Sequence, residues 1–84
     1  MTLEERARSV RTPDDLATLV SELRADFGAN PAGWENADLG SFFDAMAAWV
    51  RDVDGYDQNA GQALSALSPW RVMADLLVAA RIYE

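Results

Sequence analysis

Residues 68–82 read SPWRVMADLLVAARI, and this stretch decides the fold. Ser68 suits the N-cap of a helix, and Pro69 suits the first helical position, where its missing N–H is not needed. The residues that follow are apolar on nearly every side of a helix. Such a helix is either central in its own bundle or covered by a partner. We therefore predict a helix over residues 69–82, with an exposed flank as a candidate dimer surface.

Two further helical patterns precede it. Thr12 and Pro13 repeat the combination of N-cap and first helical residue, and apolar residues follow at helical spacing until Gly28. Asn36 is the expected N-cap of the next helix, and Gly55 is its expected end. We predict an all-α bundle with three main helices, over residues 13–27, 37–53 and 69–82.

The remaining segments are predicted to be short. Residues 3–9 are charged and form either a short N-terminal helix or a frayed end. Residues 56–67 are predicted to be a loop, with one short helical turn at 62–67. The whole chain, residues 1–84, is expected to be a single helical domain. Its predicted core consists of Leu16, Leu19, Leu23, Phe42, Met46, Val50, Met73 and Leu77.

The composition argues against catalysis. The chain contains no histidine, cysteine or lysine, so it lacks the usual proton shuttle near neutral pH, the thiolate nucleophile and the Schiff-base amine. It also lacks most transition-metal ligands. We expect no enzyme activity, no catalytic residue, no metal site and no cofactor.

The charge and the hydropathy of the chain argue against two classes of partner, nucleic acids and membranes. A net charge of −7 disfavours nucleic acid. The apolar runs are too short to cross a bilayer, and the N-terminus lacks the apolar stretch of a signal peptide. These features predict a soluble cytoplasmic protein without membrane association.

Negative charge is concentrated in residues 35–57, where six carboxylates are offset only by Arg51. Trp34, Trp49 and Tyr56 lie in or next to this segment, and aromatic faces beside carboxylates suit an arginine or another cation. The alternatives are a solvated face and packing of the tryptophans in the core. The candidate binding residues are Trp34, Glu35, Trp49, Asp52, Asp54, Tyr56 and Asp57.

The same segment includes a sequence that resembles a calcium loop, Asp52–Asn59. Its carboxylates surround Gly55, but the EF-hand register fails because Val50 and Gly61 occupy positions that need ligands. A helix terminus closed by Gly55 is the favoured interpretation. Binding of a metal or small molecule at this turn is kept as an alternative.

A series of joined motifs extends through the chain: Trp34-Glu35-Asn36, Leu39, Ala48-Trp49, Asp54-Gly55-Tyr56, Asn59, Gly61, Ser68-Pro69-Trp70, Ala80 and Ile82-Tyr83-Glu84. Their order and spacing resemble a family of small acidic bacterial proteins that is classified as a domain of unknown function. The likeness covers residues 10–84. It implies a stand-alone bacterial domain and carries over no activity, catalytic residue or ligand.

The sequence thus predicts a non-catalytic interaction protein whose acidic helix and following turn bind a basic protein surface. A more specific form is an immunity protein, antitoxin or inhibitor that blocks a nucleic-acid-binding enzyme. Besides the metal or small-molecule module, a further alternative is a structural homodimer formed through residues 69–82.

Overall fold

The computed structural model describes residues 2–60 and 68–83, with residues 53–60 described by their backbone alone. The regular elements within these ranges are all helical, which confirms the all-α bundle. The helices are α1 (Leu3–Arg8), α2 (Pro13–Ala29), α3 (Leu39–Ala60) and α4 (Pro69–Ala80), and a 3-10 turn at Pro31–Gly33 follows α2.

Local capping chemistry fixes where the helices begin. Thr12 Oγ1 accepts a hydrogen bond from the Asp15 N–H at 3.1 Å, and Ser68 Oγ accepts one from the Arg71 N–H at 3.1 Å. Each bond satisfies a backbone donor that has no partner within the helix. The predicted starts of α2 and α4 are therefore confirmed.

The predicted start of α3 was wrong by two residues. Asp38, rather than Asn36, caps this helix, because its Oδ1 accepts from the Ser41 N–H at 2.8 Å. The Asn36 side chain instead donates to the carbonyl oxygens of Ala80 at 2.9 Å and Tyr83 at 2.8 Å. The side-chain N–H groups of Asn36 therefore bind carbonyl groups at and just after the end of α4 and do not cap α3.

The end of α3 was also predicted wrongly. The helix continues through Gly55 to Ala60, because a helix-interior glycine costs only about 1 kcal/mol relative to alanine and does not by itself stop the helix. Residues 56–60 are therefore helical rather than part of a loop. The rest of the predicted loop, including the turn at 62–67, lies outside the described residues.

The other helix ends were close to their predictions. Helix α2 includes Gly28 and ends at Ala29, where the N–H of the C-cap residue Asn30 donates to the Asp26 carbonyl at 2.8 Å. Helix α4 ends at Ala80, two residues before the predicted end.

Helix α4 is the centre of the bundle, which is one of the two positions that its apolar sequence predicted. It contacts α1, α2 and α3, and its Ala74 and Ala80 are fully buried. Small side chains at these positions allow the neighbouring helices to approach closely. The buried cluster consists of Ala7, Val10, Leu19, Leu23, Ala74 and Val78.

The predicted core was partly correct. Leu19 and Leu23 are buried, while Leu16 and Leu77 are half-buried and pack against the cluster. Phe42 and Met46 are also half-buried.

Two predicted core residues, Val50 and Met73, are exposed, at 52% and 45%. Helix α3 buries the side that contains Ala45. Five residues further along, Val50 is turned about 140° around the helix from that side. Met73 is turned about 100° from the fully buried Ala74.

Candidate functional site

A groove of about 800 Å³ lies where α1 and α3 flank α4. Below, "the groove" means this site. It brings together residues that are far apart in the sequence and supplies both charged and aromatic groups. Its lining residues are Glu4, Ala7, Arg8, Glu35, Trp49, Asp52, Arg71, Asp75, Val78, Ala79, Ile82 and Tyr83.

Three of the seven predicted binding residues line the groove: Glu35, Trp49 and Asp52. Trp49 and Asp52 are three residues apart on α3, a spacing that places side chains on one face of a helix. Glu35 lies in the segment that leads into α3. The structure therefore brings an indole ring and two carboxyl groups to the wall of one groove.

Trp34 is not among the groove residues. Its indole Nε1 donates to Asp26 Oδ2 at 2.8 Å. Its ring meets Phe27 edge-on, with centroids 5.1 Å apart, and stacks on Phe42 at 5.9 Å. The ring also packs against the buried cluster. Trp34 thus anchors the connector between α2 and α3 to the core. For this tryptophan, the structure agrees with the alternative of core packing rather than with a binding role.

The other three predicted binding residues are Asp54, Tyr56 and Asp57. They belong to the last two turns of α3, and their side chains lie outside the described part of the structure. In the described residues, no group of three or more acidic side chains is arranged to hold a metal ion.

Asp52 is held by a hydrogen bond from the Tyr83 hydroxyl group. This bond stabilises the neutral phenol beside a carboxylate and raises the pKa of Tyr83 above its usual value of 10.0. Across residues 2–60 and 68–83, Asp52 makes no ion pair with an arginine. Its charge therefore stays available at the groove wall.

Two of the other groove carboxylates are paired with arginines of the same chain. Glu4 Oε1 accepts from Arg81 Nη2 at 2.6 Å, and Asp75 accepts from Arg71 Nε at 3.1 Å. The Arg71 Nη1 group also donates to the Arg8 carbonyl at 3.5 Å, linking the start of α4 to the end of α1. The Glu4–Arg81 pair therefore lies where α1 begins and α4 ends, and the Arg71–Arg8 bond lies at the opposite end of these two helices.

The tail after α4 is fixed by the connector. The Asn36 N–H donates to the Arg81 carbonyl at 2.9 Å, in addition to its two side-chain bonds to Ala80 and Tyr83. These three bonds satisfy carbonyl groups at the end of α4, which lack partners within the helix. They also position Tyr83 at the groove.

Sequence reasoning missed most of the groove. Tyr83, Arg8 and Glu4 reach it only through helix packing, which no local pattern reveals. Arg71 and Asp75 did give a signal, because opposite charges four residues apart form a pair on a helix surface.

Residues 12–84 match a family of unknown function, DUF7660. The chain belongs to this family. The predicted resemblance to a family of unknown function is thereby confirmed, and membership in DUF7660 assigns no activity. Searches of curated proteins and of solved structures found no match. Within the described ranges, no helix of this DUF7660 member is long and apolar enough to span a membrane.

Proposed function

We propose that this protein is a non-catalytic interaction protein that binds a basic protein surface through the groove. The observation that carries the proposal is the placement of Asp52 beside Trp49, with a carboxylate that no arginine of the described residues neutralises. An arginine side chain of a partner would lie at this wall of the groove.

The chemistry of the wall suits a guanidinium group. Arginine forms charge-assisted hydrogen bonds with carboxylates, and its flat face stacks on aromatic rings. Asp52 supplies the first type of contact and Trp49 the second. Lysine would gain less, because its compact ammonium group is more strongly hydrated and cannot stack in the same way.

The charge of the whole chain supports the same partner. A net charge of −7, with residues 35–57 carrying much of it, attracts a basic surface before contact and raises the association rate. This contribution weakens as the salt concentration rises. An inhibitor of a nucleic-acid-binding enzyme is the more specific form of the proposal, since such enzymes expose the basic surfaces that phosphates occupy.

The test is affinity capture from the native host with matched variants. Asp52→Asn and Trp49→Ala alter the groove, whereas Asp44→Asn removes the same charge from an exposed position of α3 that does not line it. Native folding of each variant is confirmed by circular dichroism. We expect the native protein and Asp44→Asn to retain the same basic protein, and the two groove variants to lose it.

The retained protein should elute at moderate salt. Its identity then separates the two forms of the proposal, because a nuclease or similar enzyme must also lose activity when bound. If Asp52→Asn and Trp49→Ala retain the same proteins as the native chain, the groove is not the binding site.

A second candidate function is self-association through α4. It is favoured by Trp70 and Met73, which are exposed at 38% and 45%. Sedimentation velocity tests it: a homodimer requires a mass that rises with protein concentration and falls for Met73→Gln. A monomeric mass across the concentration range rejects this function.

A further inference from the structure

The groove has two ends of opposite charge, and this polarity specifies its occupant further. At one end, Arg8 and Arg71 lie together where α1 ends and α4 begins. At the other end, Asp52 meets Tyr83 after the end of α4. The two ends differ in which charge is left for a partner.

The basic end offers Arg8. Arg71 is already engaged by Asp75, whereas the Arg8 guanidinium makes no ion pair among the residues that the structure describes. Arg8 is exposed and lines the groove. It is therefore suited to a carboxylate from a partner, while Asp52 at the acidic end is suited to a guanidinium.

Helix α4 provides the floor between these ends. Its groove residues Arg71, Asp75 and Ala79 recur every four positions, and Ile82 lies just beyond the end of the helix. Four residues make slightly more than one helical turn, so this stripe extends along one side of the helix for about 12 Å. That length corresponds to about two turns of a second helix laid along it, and the residues beyond Ala80 extend the groove further.

The backbone chemistry favours a helix over an extended peptide. The regular elements of the described residues are all helices, so their backbone groups are largely paired internally and no strand edge is offered. An extended peptide would bury N–H and C=O groups without partners, at considerable cost. A helix satisfies its own backbone and presents only side chains to the groove.

We propose that the groove binds an amphipathic helix of a partner protein, with an arginine at one end, a carboxylate about two to three turns away and small apolar side chains between them. Arg8 and Asp52 then fix its direction. A second copy of this chain is disfavoured by a net charge of −7 on each molecule. This inference rests on the proposed function and adds the form and direction of the partner.

The test is selection from a displayed library of randomised 16-residue helical peptides on the immobilised full chain. We expect enriched peptides to contain Arg and Asp or Glu separated by about 7–11 residues, in one order along the peptide. Selection on Asp52→Asn should lose the arginine preference, and selection on Arg8→Gln should lose the acidic preference. The matched controls Asp44→Asn and Arg24→Gln, both outside the groove, should keep both preferences.

Measuring the affinity of one enriched peptide for the native chain and for Arg8→Gln tests the contribution of the basic end directly. Arg8→Gln should weaken its binding about 2–5-fold, the range of exposed ion pairs. It should have no further effect once the acidic residue of the peptide is replaced by glutamine. A peptide with the two charged residues exchanged should bind the native chain more weakly by a similar factor.

The outcomes separate the two proposals. Enrichment of arginine that depends on Asp52, without any acidic preference or fixed order, overturns this inference and leaves the proposed function standing. Enrichment that does not depend on Asp52 overturns both. No enrichment at all overturns this inference, and the affinity capture then decides the proposed function. If the enriched peptides bind in an extended form, shown by the absence of induced helical circular dichroism, the inference that the groove binds a helix is wrong.

Discussion

The two half-buried tryptophans Trp34 and Trp49 have contrasting surroundings. Trp34, before α3, donates its indole N–H to Asp26 and contacts the rings of Phe27 and Phe42. Trp49, in the middle of α3, lines the groove, and its indole N–H has no hydrogen-bond partner in the described residues.

This difference indicates that the two tryptophans have different roles, one in the stability of the fold and the other in binding. A tryptophan with a satisfied N–H and two ring partners contributes mainly to the folded state. A tryptophan at an open groove has an apolar face and a polar edge available for a partner, which is typical of binding hot spots. The connector that contains Trp34, Asn36 and Asp38 is therefore expected to control stability, and the groove is expected to control binding.

The largest predicted effect is on Trp34. Trp34→Ala should lower the free energy of unfolding by about 3 kcal/mol, because it removes ring packing and leaves Asp26 without its donor. Trp49→Ala should lower it by only about 1 kcal/mol. Urea unfolding followed by circular dichroism measures both. Equal losses would show that the two tryptophans do not differ as proposed.

The next prediction concerns the Asn36 amide group. Asn36→Asp keeps the shape but places an oxygen against the Ala80 and Tyr83 carbonyl oxygens, where Nδ2 now donates at 2.9 and 2.8 Å. It should lower the free energy of unfolding by about 2 kcal/mol, and Asn36→Ala by about 1 kcal/mol. Thermal unfolding at pH 7 checks this order, and a smaller loss for Asp than for Ala would contradict it.

A smaller effect is expected from Asp38 in acid. The Ser41 N–H stabilises its carboxylate and lowers the pKa of Asp38 below 3.8. The stabilisation is therefore present above pH 3.8 and lost as the pH falls through the lower folded-state value. The stability of the native chain relative to Asp38→Asn should be constant near neutral pH and decline in acid, as measured by urea unfolding at each pH. A difference independent of pH would reject this role.

The smallest effect is expected at Tyr83. Its hydrogen bond to Asp52 raises the pKa of Tyr83 above 10.0, so the stabilisation is present below pH 10 and lost as the pH rises through the folded-state value. Absorbance titration at 295 nm, with Tyr56→Phe as background, should show a lower midpoint after Asp52→Asn. An unchanged midpoint would mean that the two groups do not interact in solution.

Local chemistry made much of the fold predictable from the sequence. The pairs Thr12-Pro13 and Ser68-Pro69 predicted helix starts because their hydrogen bonds involve residues only three positions apart. The apolar character of α4 predicted either a central position or a covering partner, and its contacts with α1, α2 and α3 show the first.

The wrong predictions for the start of α3 and for its buried side arose because contacts with residues far away in the sequence override the local pattern. Asn36 resembles an N-cap, but its amide binds carbonyl groups 44 and 47 residues away, and Asp38 caps α3 instead. Val50 matches the apolar pattern of α3, yet the side that packs on α4 is set by the positions of the other helices.

The candidate site was less predictable for the same reason. Trp49, Asp52 and Glu35 were found because aromatic and acidic residues cluster in one segment of the chain. Arg8 and Tyr83 come from opposite ends of the described residues and join that segment only after packing. The sequence therefore predicted the acidic end of the groove and missed its polarity.

The position of α4 in the chain has a consequence during synthesis. The three helices that pack on it are translated first, so Leu19 and Leu23 have no completed core to enter until residues 69–80 leave the ribosome. A nascent chain stopped before Pro69 would expose these leucines to proteases and chaperones. The buried core of this bundle can therefore form only after its last helix has emerged, despite the local signals that start its helices.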